Sequence, residues 1–579
     1  MRVFSLIFLI FANLVNASSP SRAVPEAFTG LNYHKAAFSD KGMVTAANPH
    51  AVNAGVEILK QGGSAVDAAI AIQLVLTLVE PQSSGIGGGA FLLWAGHGTD
   101  KVIAYDGRET APMLATPDLF LDKSGKPLRW IDAVIGGRSI GTPGVLRMLK
   151  LAHEQHGKLE WHKLFQPAIK LAEQGFTVSP RLAKLVKVAF NPGIKKLSKA
   201  RNYFYPNGKA IAAGDKLINM ELAQTYKRIA KNGVDEFYLG QTANHIVKAV
   251  NQAEIAPGLL SLQDLKNYRA NVKTSVCTEY NSKSAKYNVC SMGAPSSGGL
   301  TVLQILELLE PFEITKYPYG STETIHLYTQ AAKLAFADRD KYLADDQFVA
   351  VPTVQQYLDL NYINNRTKLI DMKKDLGVAQ PGVIPGFNYQ NNESIAQPNT
   401  SHISIVDQMG NALSMTTSIE MGFGSAVMVD GFLLNNQLTD FSLVPSKNGV
   451  PVANRVEAGK RPRSSMTPVV VFKDGELFAV LGSPGGSRII NYVGYALIGL
   501  LDYGLDMKQV VDMARVSNRN GVTSLEKNTD VELLKSKLES IGHKVKVMPM
   551  TSGIHGILKT PKGWQGAADP RREGTAIGL

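Results

Sequence analysis

The pattern of apolar and polar positions changes character once along this chain, near residue 400. From 43 to about 340, apolar residues recur mostly at helical spacing. That spacing predicts helices around 144–157, 160–174, 219–231, 299–309 and 322–343, with few strands between them. Ser64-Ala65-Val66-Asp67 reads as a capping box opening a core helix toward Val79, which Pro81 ends. Gly85 to Gly89 then leads into Ala90-Phe91-Leu92-Leu93-Trp94, a buried strand. Beyond 400 the runs are short and strand-like, as in Pro468 to Phe472 and Leu477 to Leu481, joined by a turn at Lys473-Asp474-Gly475. Helices are predicted from Ser487 to about Leu501 and around 507–514.

The segment between the two halves has no period. Residues 371 to 399 carry Pro381, Pro385 and Pro398 with several Gly and Asn, a length and composition that mark a lid, a linker or a processed segment. Thr400 stands at its end. Behind it Ile403 and Ile405 alternate with His402, Ser404 and Val406, and Gln408-Met409-Gly410 fits a three-residue turn with glycine in the left-handed position. Pairing Asp407 with Asn411 sets Ser418 opposite Thr400, close enough for the two hydroxyls to meet. Such a pair is either an ordinary strand pair or support for a nucleophile. Cutting the bond before Thr400 would place a hydroxyl nucleophile and a free α-amino base on one residue.

Composition narrows the setting. Apolar residues make up 44% and charged residues 19%, an ordinary globular mixture. Arg2, the apolar run Val3 to Val15 and the small residues at Asn16-Ala17 predict a signal peptide over 1–17 and an exported protein, periplasmic or secreted. No integral span is expected once it is removed. The net charge of +12 comes without a basic patch interleaved with aromatics, which argues against nucleic acid. Cys277 and Cys290 flank a segment that can fold as a hairpin; a disulfide and two free thiols both remain open. The eleven histidines show no metal-ligand spacing, so no metal is expected.

Two further groups carry chemistry. Gly482-Ser483-Pro484-Gly485-Gly486-Ser487-Arg488 joins a strand end to a helix start, where side-chain-free amides can face developing negative charge. The Gly-Lys-Ser/Thr of a phosphate loop is missing, and a plain turn is the alternative. Glu420, Gln437 and Asp440 offer partners for an ammonium, while Arg108, Ser464 and Ser465 offer partners for a carboxylate. Each, read singly, is more often a surface polar residue or a turn.

Read in order, these pieces resemble the γ-glutamyltranspeptidases, which are N-terminal-nucleophile hydrolases. The resemblance rests on Thr400-Ser401-His402, Asn435-Asn436-Gln437, Arg461-Pro462 through Ser464-Ser465-Met466, and Gly482 to Arg488. In the front half it rests on Gly62 to Ala69, Arg108 to Pro112 and Pro295 to Gly299, so that it runs from about 42 to the C-terminus. It implies an α+β fold, a four-layer αββα sandwich built from two autoprocessed chains: 18–399, helix-rich and ending in a tail over about 371–399, and 400–579, strand-rich.

The same resemblance implies self-cleavage between Asn399 and Thr400, and pairing of the large and small subunits as a heterodimer. Thr400 would attack the γ-glutamyl amide of glutathione or a related compound, with Ser418 supporting it and the Gly485 and Gly486 amides holding the oxyanion. Arg108, Ser464 and Ser465 match positions that grip the α-carboxylate, and Glu420, Gln437 and Asp440 those around the α-amino group. Water or an amino-acid or peptide acceptor would resolve the acyl-enzyme, with no cofactor. Two departures stand out. Ser418 and Glu420 occupy positions where some members have threonine and asparagine, and the segment between Phe441 and Ser464 is of intermediate length and lacks the tyrosine that some members place in a lid. Two alternatives carry different expectations. A glutaryl-type cephalosporin acylase would have no use for the ammonium partners, and a non-catalytic exported glutathione-binding protein would keep its chain intact.

Overall fold

Strand Ser401–Val406 is buried at every position, so its polar face meets protein and not water. Ile403 and Ile405 join the core beneath the helices Pro49–Lys60 and Ala65–Val79, whereas Val406 belongs to the apolar cluster of the opposite layer. Between them the small polar residues stitch two sheets together: Ser404 Oγ donates to the His555 carbonyl at 3.0 Å and Ser414 Oγ to the Leu481 carbonyl at 3.1 Å. Buried hydroxyls cost little when each has such an acceptor.

The computed structural model describes residues 28–283, 285–392 and 399–579. The expected leader, 1–17, lies outside the described residues. Two seven-stranded antiparallel sheets stack face to face. The first runs Thr575–Gly578, Met43–Ala46, Ser401–Val406, Ala412–Ser418, Gly89–Ala95, Val102–Gly107 and Asn271–Thr274. The second runs Ala37–Ser39, Gly563–Ala568, His555–Thr560, Glu476–Gly482, Val469–Lys473, Lys286–Ser291 and Val276–Asn281. Pro49–Lys60 and Ala65–Val79 cover the first sheet; Gly298–Leu309, Thr322–Tyr342 and Ile489–Leu501 cover the second. The result is the expected four-layer αββα sandwich.

The hairpin has the register read from the sequence. Ser401 pairs with Thr417 and Val406 with Ala412, the Asp407 amide donates to the Asn411 carbonyl at 3.0 Å, and Gly410 turns at φ 81°. Asp407 also anchors the neighbouring helix, accepting from the Ala65 amide at 3.0 Å. That helix is buried along its whole length and opens with the Ser64–Asp67 capping box. Helices also form at Val145–His156, Met220–Asn232, Gly298–Leu309 and Thr322–Tyr342, and 160–174 divides into a 3₁₀ turn, Trp161–Phe165, and a helix, Gln166–Gln174.

Residues before 392 hold more strands than their pattern suggested. Both sheets alternate between segments from the two sides of Asn399, so neither half closes a sheet alone. Strands as short as Met43–Ala46, buried at each position, leave no alternation to read. Cys277 and Cys290 face each other across neighbouring strands of the second sheet and form a disulfide. Among the described residues no helix is long and apolar enough to cross a membrane.

Candidate active site

Thr400 and Ser418 lie at the open end of the hairpin. The Thr400 Oγ1 is 3.3 Å from Ser418 Oγ and 2.5 Å from the Asn399 carbonyl oxygen, to which Ser418 Oγ also donates at 3.0 Å. Arg572 fixes the other side of the residue, its guanidinium donating to the Thr400 carbonyl at 3.1 Å. Both hydroxyls meet at the peptide bond that joins Asn399 to Thr400. Its carbonyl is thus polarised by hydroxyl donors beside the threonine oxygen.

Most of the residues singled out in the sequence line one cleft with Thr400. Ser418, Glu420 and Gly486 line it beside Thr400, and Gln437, Asp440, Ser464 and Ser465 complete the wall. Gln437 and Asp440 begin and end a single 3₁₀ turn, Gln437–Asp440, which presents both to the same space. Glu420 sits at φ 76°, a costly backbone state for a side-chain-bearing residue. Its amide is held by Ser418 Oγ at 2.9 Å and its carboxylate accepts from Asn436 Nδ2 at 2.5 Å.

Arg108 is placed behind this wall rather than in it. It is 1% exposed, and its guanidinium bonds Asp440 Oδ2 at 2.5 Å and the carbonyls of Pro462 and Arg463 at 3.1 Å each. Burial raises the Asp440 carboxyl above its usual range, with Arg108 pulling it back. Burial likewise pushes the adjacent Glu109 up to about 8, with Arg108, 3.5 Å away, pulling it back. Asp440 Oδ1 and Gln437 Oε1 are buried without a hydrogen-bond partner among the described residues. Both are acceptors, as an ammonium group requires.

Ser464 and Ser465 are held from the front half of the chain. Ser297 donates to the Ser464 carbonyl through its amide at 2.8 Å and its hydroxyl at 2.6 Å. Arg339, from the last turn of Thr322–Tyr342, donates to Ser297 Oγ at 2.9 Å and Ser465 Oγ at 2.7 Å. Pro295 to Gly299 was part of the sequence pattern; Arg339 and Arg572 were not. Nothing local to an arginine at a helix end or near a C-terminus distinguishes it from a solvated one.

Gly485 and Gly486 adopt φ 139° and 58°, conformations that favour glycine, and open the helix Ile489–Leu501 through the 3₁₀ turn Gly486–Arg488. A Cβ on Gly485 would come within 2.7 Å of the Tyr492 ring. His402 takes no place in the cleft. It lies between the sheets, bonded to Thr416 and Ser404 at 2.9 and 3.0 Å, and burial lowers its pKa well below the usual value, leaving it neutral. Among the described residues no cluster of His, Cys, Asp and Glu is arranged to hold a metal ion.

The cleft therefore gathers the Thr400 hydroxyl, the backbone of Gly486 though not of Gly485, acceptors for a cation and cation-backed serines for an anion. Comparison with known proteins shows the family. A sequence profile described as gamma-glutamyltranspeptidase matches residues 51–579. The chain is 35% identical to the glutathione hydrolase proenzyme of Bacillus subtilis strain 168, over 99% of this chain and 97% of that one. It is 36% identical to the glutathione hydrolase proenzyme of Escherichia coli K12, over 92% and 90%. In structure it is similar to a cephalosporin acylase from Bacillus halodurans, with a TM-score of 0.83 and 26% identity over 96% of this chain and 99% of that one. The chain belongs to the gamma-glutamyltranspeptidase family.

Proposed function

We propose that this protein is an exported proenzyme that cuts itself between Asn399 and Thr400 and then works as a γ-glutamyltransferase and glutathione hydrolase. In the uncut chain the Thr400 hydroxyl attacks the Asn399 carbonyl carbon, its proton passes to the departing amide nitrogen, and water hydrolyses the resulting ester. The products are an Asn399 carboxylate and a Thr400 with a free α-amine. With an ordinary pKa of about 7.7–8.0, that amine is a competent base near neutral pH.

In the mature heterodimer the amine takes the Thr400 hydroxyl proton as the oxygen attacks the γ-glutamyl amide. The Gly485 and Gly486 amides stabilise the oxyanion, and the proton then goes to the leaving amine. Water or an amino-acid or peptide acceptor adds to the γ-glutamyl ester and regenerates the hydroxyl. Glu420, Gln437 and Asp440 receive the substrate ammonium, and Ser464 and Ser465, backed by Arg339, its α-carboxylate. Arg108 holds Asp440 in place and lends positive charge to the carboxylate side.

The observation that carries this reading is the meeting of Thr400 with both halves of a zwitterion site in one cleft. A glutaryl-type cephalosporin acylase would have no ammonium for Glu420, Gln437 and Asp440 to bind. The test is N-terminal sequencing of the smaller chain, expected to begin at Thr400, followed by assay of γ-glutamyl-p-nitroanilide and glutaryl-p-nitroanilide side by side. A chain that stays whole, or turnover of the glutaryl compound alone, would overturn the proposal.

A further inference from the structure

The Asn399 side chain is enclosed on the side away from the nucleophile. Asn399 is fully buried, and its Oδ1 lies 3.4 Å from both Ser83 Oγ and an Arg181 guanidinium nitrogen. These two groups are themselves 3.4 Å apart, and Ser83 Oγ is 3.0 Å from Glu80 Oε2. Arg181 lies 3.8 Å from Glu80, and its backbone amide donates to Glu573 at 2.8 Å. Gly422 and Phe190 close the other wall, since a Cβ on Gly422 would come within 2.7 Å of Asn399 Nδ2 and of the Phe190 ring. Ser83 and Arg181 are both buried, and neither lines the cleft at Thr400.

We infer that Ser83 and Arg181 form a recognition pocket for the side-chain amide of Asn399 and so select and orient the peptide bond that is cut. This rests on the reading of self-cleavage at Asn399–Thr400. The two ends of the residue are held independently: Ser418 and Thr400 bond its carbonyl, and Ser83 and Arg181 its side-chain oxygen. A carbonyl gripped only by the attacking side can rotate away from the hydroxyl, and misplacement by about 1 Å costs up to roughly 10²-fold in rate. The Ser83 hydroxyl has one proton and two acceptors, Glu80 and Asn399. Burial, partly offset by Arg181, pushes Glu80 up to about 7, so near neutral pH its carboxyl is protonated in part of the population, and in that form it leaves the serine proton to the amide. Ser83 and Arg181 are positioning residues, since they touch the residue before the bond and not the reacting atoms.

The test is a double-mutant cycle on full-length precursor isolated soon after synthesis, following the appearance of the smaller chain with time. Ser83→Ala and Asn399→Ala are each expected to slow maturation about tenfold, the loss of one hydrogen bond. The double variant should be no slower than the slower single one. Matured Ser83→Ala should hydrolyse γ-glutamyl-p-nitroanilide with unchanged kcat/KM, which a general loosening of the fold would not leave intact. Maturation of Ser83→Ala at the wild-type rate, or multiplying effects in the double variant, would overturn this inference alone. A wild-type chain that never yields Thr400 as a new N-terminus would overturn it together with the proposed function.

Discussion

Ser418 stands across the hairpin from Thr400, and its hydroxyl serves three groups at once. It is 3.3 Å from the Thr400 oxygen, donates to the Asn399 carbonyl at 3.0 Å and accepts from the Glu420 amide at 2.9 Å. One side chain therefore couples the Asn399–Thr400 peptide, the Thr400 hydroxyl and the strained turn that carries the Glu420 carboxylate.

Ser418→Ala is expected to slow maturation by about 10²-fold, the scale of losing one donor to a developing oxyanion. Ser418→Thr, which restores the hydroxyl, should mature at close to the wild-type rate. Densitometry of the two chains over time reads both.

Asp440→Asn removes the carboxyl group that meets the buried Arg108 guanidinium at 2.5 Å. Breaking a buried pair from one side costs about 3–5 kcal/mol. Chemical denaturation should show a loss on that scale, and the KM for γ-glutamyl-p-nitroanilide should rise by at least tenfold in whatever fraction matures.

Gly485→Ala forces a side chain into a left-handed backbone and against the Tyr492 ring. If the turn shifts its amides by even a few tenths of an ångström, the oxyanion donors miss their target. A fall in kcat of about 10²-fold with little change in KM is the expected signature.

The raised carboxyl of Glu109 makes stability pH-dependent with a definite sign. The folded protein holds this proton up to about pH 8, whereas the unfolded chain releases it near the ordinary 4.5. Between those values the native state binds more protons, so its contribution to stability falls as pH rises. Glu80, raised to about 7, acts in the same direction. His555, lowered to about 4, opposes them on the acid side, where stability is lost as pH falls from 6.5 toward 4. Unfolding of Glu109→Gln between pH 6 and 8.5 should therefore depend less steeply on pH than that of the parent.

The hairpin shows how much was local. Strict alternation and a glycine turn determine register by themselves, since a slip of one residue would exchange the two faces. That is why the Thr400–Ser418 pair could be read without a structure. The Ser64 capping box and the glycines at 485 and 486 were legible for the same reason: their physics lies within a few residues. The short strands before 392 were not. A strand such as Met43–Ala46 exists because Ser401–Val406 and Thr575–Gly578 flank it, and both neighbours lie more than 350 residues away.

The substrate wall divides in the same manner. Gln437 and Asp440 share a turn, which their spacing allows, but that Asp440 would be paired with Arg108 from inside the protein has no counterpart in the sequence. Arg339, Arg572 and Arg181 reach Ser465, Thr400 and Asn399 from distant segments. By itself the sequence determined the hairpin register, the Ser418 partner of the Thr400 hydroxyl and the glycine turn, because each follows from steric limits on neighbouring residues. Only the tertiary structure decided which buried charges confront one another and what encloses Asn399, because desolvation and ion pairing depend on which segments the two packed sheets bring together.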